Sequence, residues 1–132
     1  YTGDIAELHG YKFGPLDYRS ARFSTEVLNG DYQGCPCVLN CDDDVPFSRI
    51  MEPKHLHNPS NKKTVVTMEY PEKWEPGKEK YRPLRLKKSL ERFSLYRGLS
   101  CPYIVCGRLG DFQDYSQAQA IEMALKIAKS LR

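Results

Sequence analysis

Hydrophobic positions alternate along the first half of the chain and recur at helical spacing in its second half. Alternating aromatic and aliphatic residues predict a strand over residues 19–27. Shorter apolar runs predict further strands over residues 37–41, 48–51 and 64–69. Prolines and a glycine predict an irregular connection over residues 71–83.

The second half of the chain predicts two helices with a strand between them. Apolar residues recur at helical spacing within residues 83–97, and a longer helical pattern covers residues 116–132, with Ser116 as its N-cap. The uninterrupted apolar run at residues 103–106 predicts a strand. This order favours an α+β fold with a largely antiparallel sheet and two helices.

The C-terminal helix is predicted to be apolar around most of its circumference, apart from an i,i+4 pair of Glu122 and Lys126. An apolar arc this wide requires two surfaces to bury it, and a small domain offers one. The helix therefore predicts either a homo-oligomer or, as the preferred alternative, contact with a part of the protein outside this chain.

Length and composition indicate one domain that folds in water. The chain has 132 residues, and its 20 Lys and Arg exceed its 17 Asp and Glu by only three charges. This small excess gives no support for a nucleic-acid partner, and no apolar run is long enough for a membrane partner. Five cysteines, an odd number, favour a reducing compartment and predict a cytoplasmic protein. The start at Tyr1, without methionine, suggests a piece of a longer protein.

Two arginines are candidates for holding an anion. Arg108 lies in the sequence Gly107–Gly110, where glycines, a cation and a following helix N-terminus suit a phosphate, although a surface loop has the same pattern. Arg49 lies within a predicted strand, where arginine is unusual. It is either an edge residue paired with Glu52 or Asp44, or a cation in a cleft that takes a phosphate or carboxylate.

Other clusters give weaker signals. The acidic turn at residues 42–44 resembles the metal-binding turn of metal-dependent glycosyltransferases, but three carboxylates in a turn are more typical of a solvated loop. Cys35, Cys37 and Cys41 lack zinc-site spacing, and no histidine stands at motif spacing from a nucleophile. The sequence therefore predicts no metal site and no hydrolytic triad.

Several sequence blocks, in order and with preserved spacing, together resemble one family. The blocks are Tyr-Thr-Gly at 1–3, Tyr-Lys-Phe-Gly-Pro-Leu-Asp-Tyr-Arg-Ser at 11–20, Val-Pro-Phe-Ser-Arg-Ile-Met-Glu-Pro-Lys-His at 45–55, Thr-Val-Val-Thr-Met-Glu-Tyr-Pro at 64–71 and Gly-Arg-Leu-Gly at 107–110. With these blocks, the chain resembles the C-terminal portion of UDP-galactopyranose mutase over essentially its whole length. The resemblance implies a bacterial cytoplasmic flavoprotein that interconverts UDP-galactopyranose and UDP-galactofuranose for surface polysaccharides, using reduced flavin as the nucleophile at the sugar.

The resemblance also implies that the chain is a single C-terminal fragment, residues 1–132. Residues 1–84 would form the sheet region, and residues 85–132 a helix, a strand, the Gly-Arg-Leu-Gly loop and the terminal helix. The resemblance implies that this terminal helix docks on a dinucleotide-binding domain. That domain is expected to be absent from the chain, because no GxGxxG occurs in the sequence. FAD belongs to the full-length family, and none is expected on this chain alone.

Family roles carry over to individual positions. Arg49 matches the arginine that grips the substrate diphosphate, and Asn40 matches an asparagine near the nucleotide sugar. Arg82 and Asp114 replace two substrate tyrosines of the family; Arg82 can still hold a diphosphate, whereas Asp114 would repel it. The residues matched to positions beside the flavin are Arg108, Leu109, Gly110, Ser116 and Gln117.

Three functions follow in order of preference. The first is a domain of a flavin-dependent mutase that is inactive as an isolated chain, with a UDP-sugar and the missing flavin-binding domain as partners. The second is a diverged, non-catalytic domain that binds a nucleotide sugar or another partner, which the two replaced tyrosines favour. The third, more remote, is a metal-dependent glycosyltransferase that uses residues 42–44.

Overall fold

The computed structural model describes residues 1–30, 37–42, 44–57 and 62–131. Its strands form one mostly antiparallel sheet in the order β2-β3-β4-β1-β5, with helices before, between and after them, so the predicted α+β class is confirmed. The elements are α1 (Ile5–Leu8), β1 (Tyr18–Asn29), β2 (Val38–Asn40), β3 (Arg49–Met51), α2 (Lys54–His57), β4 (Lys63–Lys73), β5 (Arg82–Pro83), α3 (Lys87–Arg97), α4 (Gly107–Gly110) and α5 (Gln117–Ser130).

Two compact units make up the chain. One unit consists of Tyr1–Arg19 together with Trp74–Arg132, and the other of Ser20–Lys73. We call them the helical unit and the sheet unit. The grouping crosses the expected sequence boundary at residue 84, because the N-terminal residues pack with the second half of the chain.

The sheet unit has one packed face and one open face. In β3, Ile50 is buried, and with Val66 of β4 it forms a small core that Leu28, Phe47 and Met68 border. Residues alternate between the faces of a strand, so the side chains next to Ile50 and Val66 in sequence lie on the opposite, open face.

The helical unit has an aromatic core. Tyr96 of α3 and Phe112 are fully buried, and Tyr18 packs edge-on against Phe112 with ring centroids 5.5 Å apart. The Tyr96 hydroxyl donates to the Gly14 carbonyl oxygen at 2.8 Å and accepts from the Phe13 N–H at 2.8 Å. These bonds attach the irregular segment before β1 to helix α3.

A buried ion pair stands at the edge of this core. The Lys80 ammonium lies 2.9 Å from the carboxylate of buried Asp4 and 2.9 Å from that of Glu7. Asp4 is also the N-cap of α1, since its Oδ1 accepts the Ala6 N–H at 2.9 Å. Burial opposes the charge of Lys80, but its hydrogen bonds to Asp4, Glu7 and Tyr11 prevail and raise the pKa of Lys80. Burial and the nearby Asp4 carboxylate also raise the pKa of Tyr18.

Most predicted elements are confirmed, and the exceptions have physical causes. Residues 103–106 are not a strand: two main-chain hydrogen bonds link this segment to Tyr1, too few to make a ladder. The irregular connection predicted from residue 71 was wrong at its start, because β4 continues through Pro71 to Lys73; a strand tolerates proline where the ladder does not use its missing N–H. The one-turn helices α1, α2 and α4 were not predicted, and α4 replaces the expected loop at Gly107–Gly110.

Replacing Lys80 with methionine should destabilise the helical unit strongly. The change leaves the buried Asp4 carboxylate without its ammonium partner, and breaking a buried pair in this way typically costs about 3–5 kcal/mol. The free energy of unfolding from urea denaturation measures the effect. Lys126→Met is the matched control, because Lys126 forms a solvent-exposed pair with Glu122 at 2.7 Å, and such pairs contribute little to stability. Equal losses in the two variants would contradict the structural role of Lys80.

Candidate functional site

The open face of the sheet unit carries a row of three polar side chains. Asn40 of β2 lies opposite Arg49 of β3, and Arg49 lies opposite Glu69 of β4. Paired residues of antiparallel strands point to the same face, so the three side chains form a line across the sheet. We call Asn40, Arg49 and Glu69 the polar row.

Arg49 is held on both sides within this row. Its Nε donates to Asn40 Oδ1 at 3.0 Å, and its Nη1 lies 3.5 Å from Glu69 Oε2. Of the two alternatives for Arg49, the edge residue paired with Glu52 or Asp44 is wrong, because β3 lies between β2 and β4 and Arg49 pairs with Glu69. Glu52 is instead buried, and its carboxylate lies 2.8 Å from Nε2 of His55.

The geometry of the polar row suits an anion. A guanidinium has five N–H donors in a planar fork, and the two contacts of Arg49 use only part of them. The Arg49 side chain is 30% exposed. The Glu69 carboxylate offsets part of its charge, so an incoming anion competes with Glu69 for the guanidinium.

Apolar side chains surround the polar row on the same face. Thr25 and Thr67 bond to each other through their hydroxyls at 3.1 Å, which fixes the facing of β1 and β4. By strand alternation this places exposed Phe23, Val27 and Val65 on the open face. The arrangement can bind a ligand that has an anionic group and an apolar part.

The predicted flavin-side residues lie in the helical unit. Arg108 of α4 donates to the carbonyl oxygens of Tyr81, at 3.4 Å, and Tyr115. The Asp114 carboxylate lies 3.8 Å from Arg108 Nε, and the Arg108 side chain is 40% exposed. The negative charge of Asp114 therefore lies beside this arginine, which offsets it.

Glycines 107 and 110 serve close packing. An added Cβ at Gly110 would lie 3.0 Å from Val105 and 3.4 Å from the Tyr1 carbonyl oxygen. Gly107 has φ of +83°, which glycine adopts without steric cost. Leu109 is partly buried against the aromatic core. The local fold thus requires glycine at positions 107 and 110, whatever this segment binds.

Both helix N-termini near Arg108 are capped from within the chain. The Gly107 N–H donates to Asp111 Oδ2 at 3.1 Å, and burial raises the pKa of Asp111 against the opposing effect of Arg97. Ser116 is the N-cap of α5 as predicted, in a reciprocal capping box with Gln119. An anion at either end would compete with these caps.

The remaining predicted residues are distributed as follows. Arg82 is exposed in β5, opposite Arg19 of β1, and follows Tyr81, whose carbonyl oxygen Arg108 contacts. Gln117 is the first residue of α5. The structure thus brings Asn40 and Arg49 together in the sheet unit and holds the other predicted residues in the helical unit.

Glu69 is the residue of the polar row that sequence reasoning missed. The one indication in the sequence is its odd number within strand β4. Thr64 and Val66, at even numbers, are buried on one face, so Glu69 lies on the other. A carboxylate on the face shared with an arginine of a neighbouring strand is recognisable once the register is known. The register itself was not predictable from the sequence.

The metal-site and cysteine interpretations can be compared with the part of the chain that the structure describes. Those residues include no group of His, Cys, Asp or Glu suited to a metal ion, and their cysteines, Cys37, Cys41, Cys101 and Cys106, are free thiols. Asp43 and Cys35, which the acidic-turn and cysteine interpretations also involve, lie outside the described residues. Among the described helices, none has the length and apolar character needed to cross a bilayer.

Comparison with known proteins gives consistent matches. The family model for UDP-galactopyranose mutase matches residues 1–114. A probable UDP-galactopyranose mutase of Klebsiella pneumoniae is 30% identical over 132 residues, which cover 97% of this chain and 34% of the relative. A dTDP-fucopyranose mutase of Escherichia coli is 33% identical over 88 residues, covering 65% of this chain and 23% of the relative. The chain therefore spans about a third or less of the length of these relatives.

Proposed function

Because this chain belongs to the UDP-galactopyranose mutase family, we propose that it forms part of the nucleotide-sugar site of a flavin-dependent mutase. The substrate would be a UDP-sugar, and the reaction an interconversion of pyranose and furanose rings for surface polysaccharides. The chain alone would be inactive, because most of the cofactor site would lie in the remainder of a longer protein. A cytoplasmic location, expected from the odd cysteine count, is part of the proposal.

The observation that carries the proposal is the fixed position of Arg49 on an open sheet face. Its guanidinium is oriented by a neutral acceptor on one side, Asn40, and by a carboxylate on the other, Glu69. This pre-organises the fork for a diphosphate, which can accept two parallel N–H bonds. The apolar side chains beside the polar row provide contact area for the rest of the nucleotide sugar.

A flavin would contact this chain through few groups. Arg108 is the available cation, while Leu109 and Gly110 are packed against the core and Ser116 is occupied as a helix cap. Gln117, next to that cap, would border the flavin. FAD would supply the chemistry at the sugar, and these residues would hold one side of it.

A non-catalytic nucleotide-sugar or partner-binding domain is the second candidate. The resemblance favours it, since it implies that Arg82 and Asp114 stand where the family has two substrate tyrosines. Asp114 lies 3.8 Å from Arg108, so it weakens the cation that would face a flavin. UDP binding without turnover in the full-length protein would support this alternative.

Helix α5 provides the surface for the missing flavin-binding domain. Its described residues include none that is buried, and Ile121 and Leu125 of the helix and Leu131 at its C-cap are each more than half exposed. These exposed apolar side chains support the proposal that the helix contacts a further surface. We assign the arc to the missing domain, as the family resemblance implies.

Arg49→Ala should weaken UDP binding about tenfold or more, because the variant loses charge-assisted hydrogen bonds to the diphosphate. Calorimetry measures the affinity, on the full-length parent where this chain alone binds too weakly to titrate. Arg49→Lys should recover only part of the loss, since an ammonium keeps the charge without the bidentate geometry.

Two further variants separate a specific role from general charge effects. Glu69→Gln should strengthen UDP binding a few-fold, because it removes the anion that competes for Arg49. Arg22→Ala removes a cation on the opposite face, where Arg22 pairs with Glu72 at 3.3 Å, and should leave UDP binding unchanged. Unchanged affinity in Arg49→Ala would refute the diphosphate role.

The isolated chain should self-associate through α5, and Leu125→Glu should reduce that association, because a charge on the exposed stripe opposes its burial. Sedimentation velocity over a range of concentrations measures it. Ser130→Glu adds the same charge on the opposite side of the helix and should have little effect. A strictly monomeric wild-type chain at high concentration would contradict the exposed-arc interpretation.

A further inference from the structure

A groove in the helical unit, away from the polar row in sequence, has the features of a second binding site. Its volume is about 680 Å³, which is within the range of small-molecule sites. Tyr11 and Trp74 form its aromatic walls, Pro15 and Pro76 extend its apolar surface, and Lys80 and Glu7 supply polar groups. We call it the Tyr11–Trp74 groove.

The walls of the groove are fixed before any ligand binds. The Trp74 indole N–H donates to the Lys78 carbonyl oxygen at 2.9 Å, and the Trp74 ring packs edge-on against buried Tyr18, with centroids 5.9 Å apart. Lys80 is held by two carboxylates. Ligand binding would therefore cost the protein little conformational entropy.

Tyr11 is held in an unfavourable backbone conformation. Its φ is +57°, in the left-handed region that side chains other than Gly, Asn and Asp seldom adopt. Phe112 also has a positive φ, of 47°, but its ring is completely buried, so core packing compensates the strain. Tyr11 as a whole residue is 40% exposed, and it lines the groove. The Tyr11 N–H donates to the Ala6 carbonyl oxygen at 2.7 Å, and the Tyr11 carbonyl oxygen accepts from the Gly14 N–H at 2.8 Å. These main-chain bonds hold the turn and fix the position of the Tyr11 side chain at the groove.

The charges around the groove argue against an anionic or a cationic ligand. The Lys80 ammonium is already compensated by Asp4 and Glu7, so it has no excess charge for a phosphate. The other lysine that lines the groove, Lys78, lies 3.6 Å from the Glu75 carboxylate. It also lies 5.6 Å from the Tyr11 centroid and 5.4 Å from the Trp74 centroid. Lys80 thus already occupies the position where these rings attract a cation, and its charge would repel a second cation.

Apolar ring surface and hydrogen-bond acceptors remain. The Glu7 side chain is 59% exposed, and Glu79 provides further oxygen atoms at the groove. The Tyr11 hydroxyl already accepts from the Lys80 ammonium at 3.3 Å, so the ring of Tyr11 is the part that is left for a ligand. A ligand that fits has a flat face of C–H groups for the aromatic rings and hydroxyl donors for these oxygens. We propose that the Tyr11–Trp74 groove binds a neutral pyranose sugar. This site is independent of the diphosphate site proposed for Arg49.

Trp74 is the only tryptophan of the chain and reports directly on the groove. Methyl β-galactopyranoside, titrated into ¹⁵N-labelled protein, should shift the Trp74 indole N–H resonance in a saturable manner. The dissociation constant should be on the order of 1–10 mM, as expected for a small neutral ligand. The proposal would be overturned if neither this sugar nor methyl β-glucopyranoside gave a saturable shift. If tetramethylammonium gave a saturable shift and neither sugar did, the groove would be a cation site instead.

Tyr11→Asn tests the aromatic wall. Asparagine tolerates the left-handed backbone, so the variant should fold, while its sugar affinity should fall at least about fivefold. Tyr11→Phe keeps the ring and should retain affinity within about twofold, which covers the case in which Tyr11→Asn unfolds. Unchanged affinity in folded Tyr11→Asn, or loss of binding in folded Tyr11→Phe, would refute stacking on this ring.

Two controls locate the sugar site. Tyr103→Asn removes a tyrosine that is 58% exposed and is not part of the groove, and it should leave the affinity unchanged. Arg49→Ala should also leave the Trp74 response unchanged. If Arg49→Ala abolished that response, the sugar would be bound at the diphosphate site and the separate groove site would be wrong. Failure of UDP to bind would not affect the Trp74 result.

Discussion

The buried pair of Asp4 and Lys80 is the constraint on which the helical unit depends. A carboxylate with almost no exposure must be neutralised, and the ammonium 2.9 Å away is its charge partner. Because Asp4 lies at the start of the chain and Lys80 just before β5, the pair joins segments that are far apart in sequence. It also orders what surrounds it: Asp4 caps α1, and Lys80 lies near the rings of Tyr11, Tyr18 and Trp74. The groove depends on this pair, because its aromatic walls lie around Lys80.

Local patterns predicted the elements that can be recognised from their own side chains. Helices α3 and α5 have apolar periodicity and, for α5, a Ser cap, while β1 to β4 have alternating or apolar runs. The pairing of Asp4 with Lys80 was not predictable, because a charge pair across most of the chain leaves no periodic signal. Residues 103–106 show the opposite case. Their side chains favour a strand, but a strand requires a partner ladder, and among the described residues the segment forms main-chain hydrogen bonds to Tyr1 alone.

The candidate site was predictable only in part, for a related reason. The resemblance pointed to Asn40 and Arg49, and the structure places them in direct contact at 3.0 Å. The third member of the polar row, Glu69, depends on the register of β3 against β4, which a single sequence does not determine. Tyr11 has no sequence signal beyond its place in a family block, since its significance comes from its backbone angle and the neighbouring Lys80.

Both arginines considered for anion binding have a carboxylate neighbour: Glu69 lies 3.5 Å from Arg49, and Asp114 lies 3.8 Å from Arg108. Each carboxylate orients its arginine in the absence of ligand, and each lowers the attraction for an incoming phosphate. Binding at either position is thus an exchange of one anion for another, with a smaller net gain than the same contact to a free guanidinium. The difference between the two lies in their surroundings. Arg49 stands on an open sheet face with apolar side chains beside it, whereas Arg108 is tied by main-chain acceptors between capped helix ends. These surroundings favour Arg49 for the proposed anion site, and the flavin contact proposed for Arg108 would need further groups from outside this chain.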